Sequence, residues 1–195
     1  MKRDLREARN ITSSFLSCEK DTETILKKLF ITNKYYGDLL KRLLVINTED
    51  CLVNTNSEVY NTILEKMNIS ELFKQGYIKL SPKIRMAEHD EIKSYLIITF
   101  DNFTMNATNP EFRDCTVYID IICHTDCWEL TDYQLRPLKI AGYIDGILNG
   151  EKLSGIGKFH FMSCNHQVLN EDLSGYTLAY RAIHGSDDLI PPDED

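Results

Sequence analysis

No stretch of this 195-residue chain approaches the roughly 20 consecutive apolar residues that cross a bilayer as a helix, so no membrane role is expected. The opening, Met1-Lys2-Arg3-Asp4-Leu5-Arg6-Glu7, is charged and lacks the apolar run of a secretory leader. That points to synthesis in a cytoplasm and to free thiols rather than a disulfide framework for its six cysteines. An excess of basic charge is also missing. Lys and Arg number 22 against 30 Asp and Glu, for a net charge of −8. Such a chain repels DNA phosphates, so a role gripping DNA is disfavoured. A role beside DNA, where sticking would be harmful, stays open. The sequence also has no nucleotide fingerprint, metal triad, internal repeat or paired carboxylates in a fixed helical frame.

What is present suffices for a packed core. Hydrophobic residues make up 43% and aromatics 10%, which argues against general disorder. The organising stretch runs from Phe112 to Ile183 and reads strand, helix, strand, strand. In Cys115–His124, residues Val117, Ile119, Ile121 and Cys123 fall on one face, and Thr116, Tyr118, Asp120 and His124 mostly on the other. Pro137 suits a first helical turn, where its missing N–H costs nothing. Ile140, Ala141, Ile144, Ile147 and Leu148 then recur on one helical face, and Asn149-Gly150 ends it. Strands follow near 157–165 and 175–184.

Upstream, residues 1–17 are locally basic, through Lys2, Arg3, Arg6 and Arg9. They read as a solvated terminus or as an arm docking on a neighbour. Helices are expected at 22–30, 38–46, 58–67 (capped by Ser57, with Val59, Ile63 and Met67 in one stripe) and from Ser70 to Gly76. Their apolar stripes exceed what they can bury alone, so they must pack on the sheet or on another chain. Residues 77–82 read as a short extended piece that Pro82 keeps out of a central ladder position. Ile92–Phe100 reads as a strand apolar on both faces. The connection from Asp101 to Asp114 is long for a hairpin. It carries Phe103, Met105 and Phe112, and it reads either as a loop tucking its aromatics under itself or as an interaction loop.

Three constellations invite chemistry. Cys123-His124-Thr125-Asp126-Cys127 resembles a metal knuckle, but zinc sites pair two short hooks and only one is present. Cys123 and His124 also point to opposite faces of a strand; buried structural thiols fit better. Cys164 and His166 share a strand face, but no oxyanion-hole signature accompanies them. The glycines and lysines of 150–158 follow a helix and lead into a strand, the reverse of a phosphate loop. No catalytic, cofactor or metal residue is therefore assigned. Arg136, badly placed against a helix dipole, reads either as a solvated side chain or as serving a carboxylate across an interface.

Four runs together resemble a neck or tail-terminator-like protein of tailed bacteriophages, of the crAss-like phage type. They are Val117–His124, Arg136–Ala141, Asn149–Gly157 and Asn165–Asn170. The resemblance implies a non-enzymatic virion part, assembled in the host cytoplasm. It implies a sixfold or twelvefold homo-oligomeric ring between portal or adaptor and tail proteins, with DNA passing through unbound. No cofactor is implied.

The expected fold is α+β: a four-stranded, mostly antiparallel sheet with a helix on one face and an N-terminal helical extension. The divisions are 1–76 for arm and extension, 77–185 for the α+β domain, and 186–195 for an acidic tail. Phe103, Met105, Phe112 and Arg136 are the candidate subunit-interface residues. The rival readings are an intracellular phage protein-binding module and, behind it, a thiol or zinc enzyme on Cys123, His124, Cys127, Cys164 and His166.

Overall fold

The structure, a computed structural model, describes residues 18–81, 91–107 and 113–184. The arm at 1–17, Phe112 and the tail at 186–195 lie outside the described residues.

Helix α1 (Cys18–Lys27) runs into a wide π-type turn (Lys28–Thr32). Helices α2 (Lys34–Val45), α3 (Glu58–Lys66) and α4 (Ile69–Lys74) follow. Strand β1 (Ile78–Lys79) precedes the long strands β2 (Ser94–Met105) and β3 (Arg113–His124). A small hairpin of β4 (Glu129–Leu130) and β5 (Gln134–Leu135) leads into α5 (Arg136–Leu148). Then come β6 (Lys152–Leu153), β7 (Gly157–Lys158), β8 (His160–Val168) and β9 (Leu173–His184).

The main sheet has the order β1-β2-β3-β9-β8. It has five strands rather than four. The short piece after the helices joins as β1, parallel to β2 through Ile78↔Leu96 and Lys79↔Ile97. It sits at the edge, where the reading of 77–82 left room for it. The pairings β2–β3, β3–β9 and β8–β9 are antiparallel, as expected. Two further two-stranded sheets, β4–β5 and β6–β7, were not anticipated.

One face of the sheet carries the core. Val117, Ile119, Ile121 and Cys123 of β3 join Leu96 and Ile98 of β2 and Leu178 and Tyr180 of β9. Helix α5 lies on them through Ile140, Ala141, Ile144, Ile147 and Leu148, the stripe read from the sequence. Each fully buried Ile or Leu there stabilises by about 1.5–3 kcal/mol relative to exposure. The N-terminal helices add Ile25, Leu29, Phe30, Leu40, Leu43 and Leu44 to the same cluster. Of the two coverings open to their stripes, sheet or second chain, the sheet supplies this one. On the opposite face a small cluster of Tyr95, Ile97, Ile122 and Leu173 is buried.

Local corrections have local causes. Ser57 caps α3 as expected, accepting from Tyr60 N at 3.4 Å. Of the expected stripe only Met67 is in the core; Val59 and Ile63 are exposed, and Tyr60 and Leu64 pack inward instead. Asn68, not Ser70, caps α4, accepting from Glu71 N at 2.9 Å. Strand β2 does not stop at Phe100 but continues to Met105 through a register shift between Asp101 and Thr104. Asn102 takes φ 54° there, which asparagine tolerates better than most residues.

Candidate interaction surface

Arg136 is the largest side chain with no solvent exposure. Its guanidinium lies where α5 begins, against the end of α2. Nε donates to Cys127 O at 2.5 Å. Nη1 donates to Leu43 O at 2.8 Å and Ile46 O at 2.7 Å, and Nη2 to Thr48 O at 2.8 Å. Leu43 lies in the last turn of α2 and Ile46 is its C-cap, so the cation satisfies carbonyls that a helix terminus leaves orphaned. Neither sequence reading of Arg136 anticipated this. It is neither solvated nor turned to a neighbour; its donors are engaged inside the protomer. Position 136 read poorly because its dipole was judged against α5 alone, whereas it serves the C-terminus of α2.

Phe103 lies in β2, half-buried and packed on the core, rather than in a loop. Met105, at the end of the same strand, is 65% exposed. The tucked-loop and interaction-loop readings thus divide: the aromatic is drawn in and the thioether left out.

The thiols and histidines do not converge. Among the described residues no group of three or more His, Cys, Asp or Glu is placed to hold a metal. Cys123 is in the core, while His124 Nδ1 accepts from Asp126 N at 3.1 Å. Cys127 Sγ donates to His124 O at 3.2 Å. Burial pushes the Cys123 thiol up to about 12. It also raises Cys51 and Cys127, against the opposing field of Arg136. Cys164 is exposed on β8 and is raised as well, by desolvation and then by Asp145. A nucleophilic thiol needs the opposite shift. His166, instead of pairing with Cys164, stands edge-on to Trp128 at 6.0 Å and Tyr176 at 5.2 Å.

Two features escaped the sequence reading. The turn between β4 and β5 places Asp132 and Tyr133 at φ 62° and 60°. The pair Leu130↔Gln134 leaves a three-residue connection, Thr131–Tyr133, whose last two residues take the left-handed conformation without glycine. It holds the Tyr133 side chain fully exposed. The second feature is β8. Eight of its nine residues are exposed, among them Phe161, Met162 and Val168, and among the described residues β9 is its sole neighbour in the main sheet. A groove of about 540 Å³ also opens between α1 and α4, lined by Glu19, Glu23, Leu26, Ile69, Phe73 and Leu80 among others.

No curated protein matches the chain. Among solved structures, a chain described as part of the virion of a native gene transfer agent particle is similar, with a TM-score of 0.37 and 12% identity. The match covers 64% of this chain and 90% of that one. The YomW family matches residues 38–182, a span from α2 to the end of the sheet. The chain therefore belongs to the YomW family.

Proposed function

We propose that this chain is a structural virion protein of a tailed phage, one subunit of a ring in the head–tail connector through which DNA passes. The observation that carries the reading is where the apolar surface lies. Helices and sheet bury one another completely at the centre, yet Met105, Tyr133, Met162, Val168 and Leu169 stay exposed on strands and hairpins at the periphery. Exposed apolar residues gathered on rigid elements are contact surface for other subunits. The family is phage-associated, and the four sequence runs resembling neck and tail-terminator proteins agree with it. The net charge of −8 suits a wall past which DNA slides without binding. The raised thiols and dispersed histidines give the enzyme reading no support.

A second reading, a protein-binding module that never enters the particle, draws on the groove between α1 and α4. Its Leu26, Ile69, Phe73 and Leu80 would accept an apolar segment.

Particles purified through a density gradient and digested for mass spectrometry separate the two. A virion part co-purifies with particles, and its loss leaves filled heads and tails unjoined. If the chain is missing from particles while joined particles form without it, the binding-module reading takes its place.

A further inference from the structure

Among the described residues, the hydrogen bonds of β8 run to β9, to Asn149, whose Oδ1 accepts from Phe161 N at 3.3 Å, and between Asn165 and Ser163 within the strand. No described strand lies along its other edge. None of its residues, His160 to Val168, is Lys, Arg, Asp, Glu or Pro. Those are the residues by which proteins normally protect an open edge from pairing with another chain. Just past the strand, Leu169 N donates to Leu173 O. The alternation of an antiparallel ladder then turns the main-chain groups of Ser163, Asn165 and Gln167 toward β9, and those of Cys164, His166 and Val168 outward.

The sequence of β8 is self-complementary about Asn165. A two-fold axis through Asn165 sets Cys164 of one copy opposite His166 of the other. Both turn their main-chain groups outward, so each such pair closes two hydrogen bonds. Ser163 then meets Gln167, polar against polar, and Met162 meets Val168. Phe161 and Leu169 come next in line at the two ends. These four are the large apolar residues left exposed on the strand and just beyond it, and the one register sets them against each other while bringing no like charges together. We propose that two copies of the chain pair in this way, antiparallel through their β8 edges, so that the sheet runs on from one copy into the other.

A two-fold contact is the closed arrangement in which one patch meets itself. The ladder is bounded at one end by the irregularity between Phe161 and Ser163 and by the Asn149 contact, and at the other by the turn at Leu169 and Asn170. A pairing this short dissociates on dilution. It goes beyond the ring reading and does not rest on it, because contacts around a ring run head to tail. The two-fold pair is the state of the chain before assembly, or the seam of two rings set face to face.

The test is the mass of the full chain by light scattering across a concentration series. The wild type should rise from one chain toward two. Asn165→Lys sets like charges directly opposite on the axis; it should hold the mass at one chain with an unchanged circular dichroism spectrum. Tyr133→Ser, outside the main sheet, should leave the pair intact. A locking variant covers the case in which the lysine disturbs folding. In a Cys164→Ser background, Asn165→Cys brings the two copies of that position to about 4.5 Å between Cα atoms, within the span a disulfide accepts. With oxidised glutathione it should run as two chains on a non-reducing gel, and Gln167→Cys in the same background should not. A wild type of one chain at every concentration overturns the pairing and leaves the β8 edge to another protein. A pair that Asn165→Lys leaves intact overturns it too, as does an Asn165→Cys variant that links no better than Gln167→Cys. If the chain is found in purified particles and yet shows no such pair in solution, this contact fails and the ring reading stands.

Discussion

Arg136 donates to Leu43 O at 2.8 Å across 93 positions of sequence, and this contact ties the start of α5 to the end of α2. Among the described residues its guanidinium donates to the backbone carbonyls of Leu43, Ile46, Thr48 and Cys127. Arg136→Met removes all these donors and leaves buried carbonyls unpaired. It should cost about 3 kcal/mol or more. Arg136→Lys should recover only part of that, since an ammonium cannot reproduce the planar fork. Urea unfolding of the two variants checks both the loss and the order.

Gly175 sets how closely β9 approaches β3. A Cβ there would sit 1.8 Å from Ile121 O, a backbone atom that cannot swing aside. Gly175 pairs with Ile122, two pairs in from the His124↔Leu173 end of the ladder, so relief requires the two strands to part there. Gly175→Ala should destabilise by about 4 kcal/mol or more, at the extreme end for a single substitution. Thermal unfolding would show it, or the variant would fail to accumulate as folded protein.

Asp120 points to the sheet face opposite the main core, half-buried, and accepts a hydrogen bond from Thr177 Oγ1. Desolvation raises its pKa despite that bond. A carboxyl raised on folding binds its proton more tightly in the native state, so its charging opposes folding. The penalty is absent below the ordinary carboxylate pKa and complete above the raised one. Asp120→Asn, which still accepts from Thr177, should therefore raise the melting temperature at pH 7. The gain should vanish as the pH falls below the ordinary carboxylate range. A gain that does not depend on pH would rule out this cause.

The thiols divide by access. Cys51, Cys115, Cys123 and Cys127 are buried, Cys18 is partly covered and Cys164 is exposed. A thiol reagent applied to the native protein should label Cys164 first and Cys18 next, and the other four only on unfolding. Burial raises Cys164 and lifts Cys18 to about 11. Labelling should therefore be slow at pH 7 and accelerate as the solution is made alkaline. Peptide mapping after timed alkylation reads the order.

Periodicity made part of this fold legible. The α5 stripe at Ile140, Ala141, Ile144, Ile147 and Leu148 and the alternation of β3 survive because both are long and their apolar positions face one core. Shorter signals misled where tertiary packing outweighed them. In α3 both Val59/Ile63 and Tyr60/Leu64 recur at helical spacing, and the packing of Tyr60 chose the second pair. Its hydroxyl donates to Asp50 at 2.9 Å. Polar Asp101-Asn102 imitated a turn but marks a register shift within β2. Arg136 could not be placed at all, because its partners are main-chain atoms up to 93 positions away that no side-chain pattern announces. The interface candidates divided for the same reason. Met105 stays outside because the core ends before it, whereas the edge of β8 shows only once the strand order is known.

The central claim is that this chain works as a building part of a phage particle, in several copies around the path of the DNA. Electron cryomicroscopy of intact particles tests it most directly. The account predicts a closed ring of this fold between head and tail. A fully traced head–tail junction that contains no copy of this fold would contradict it.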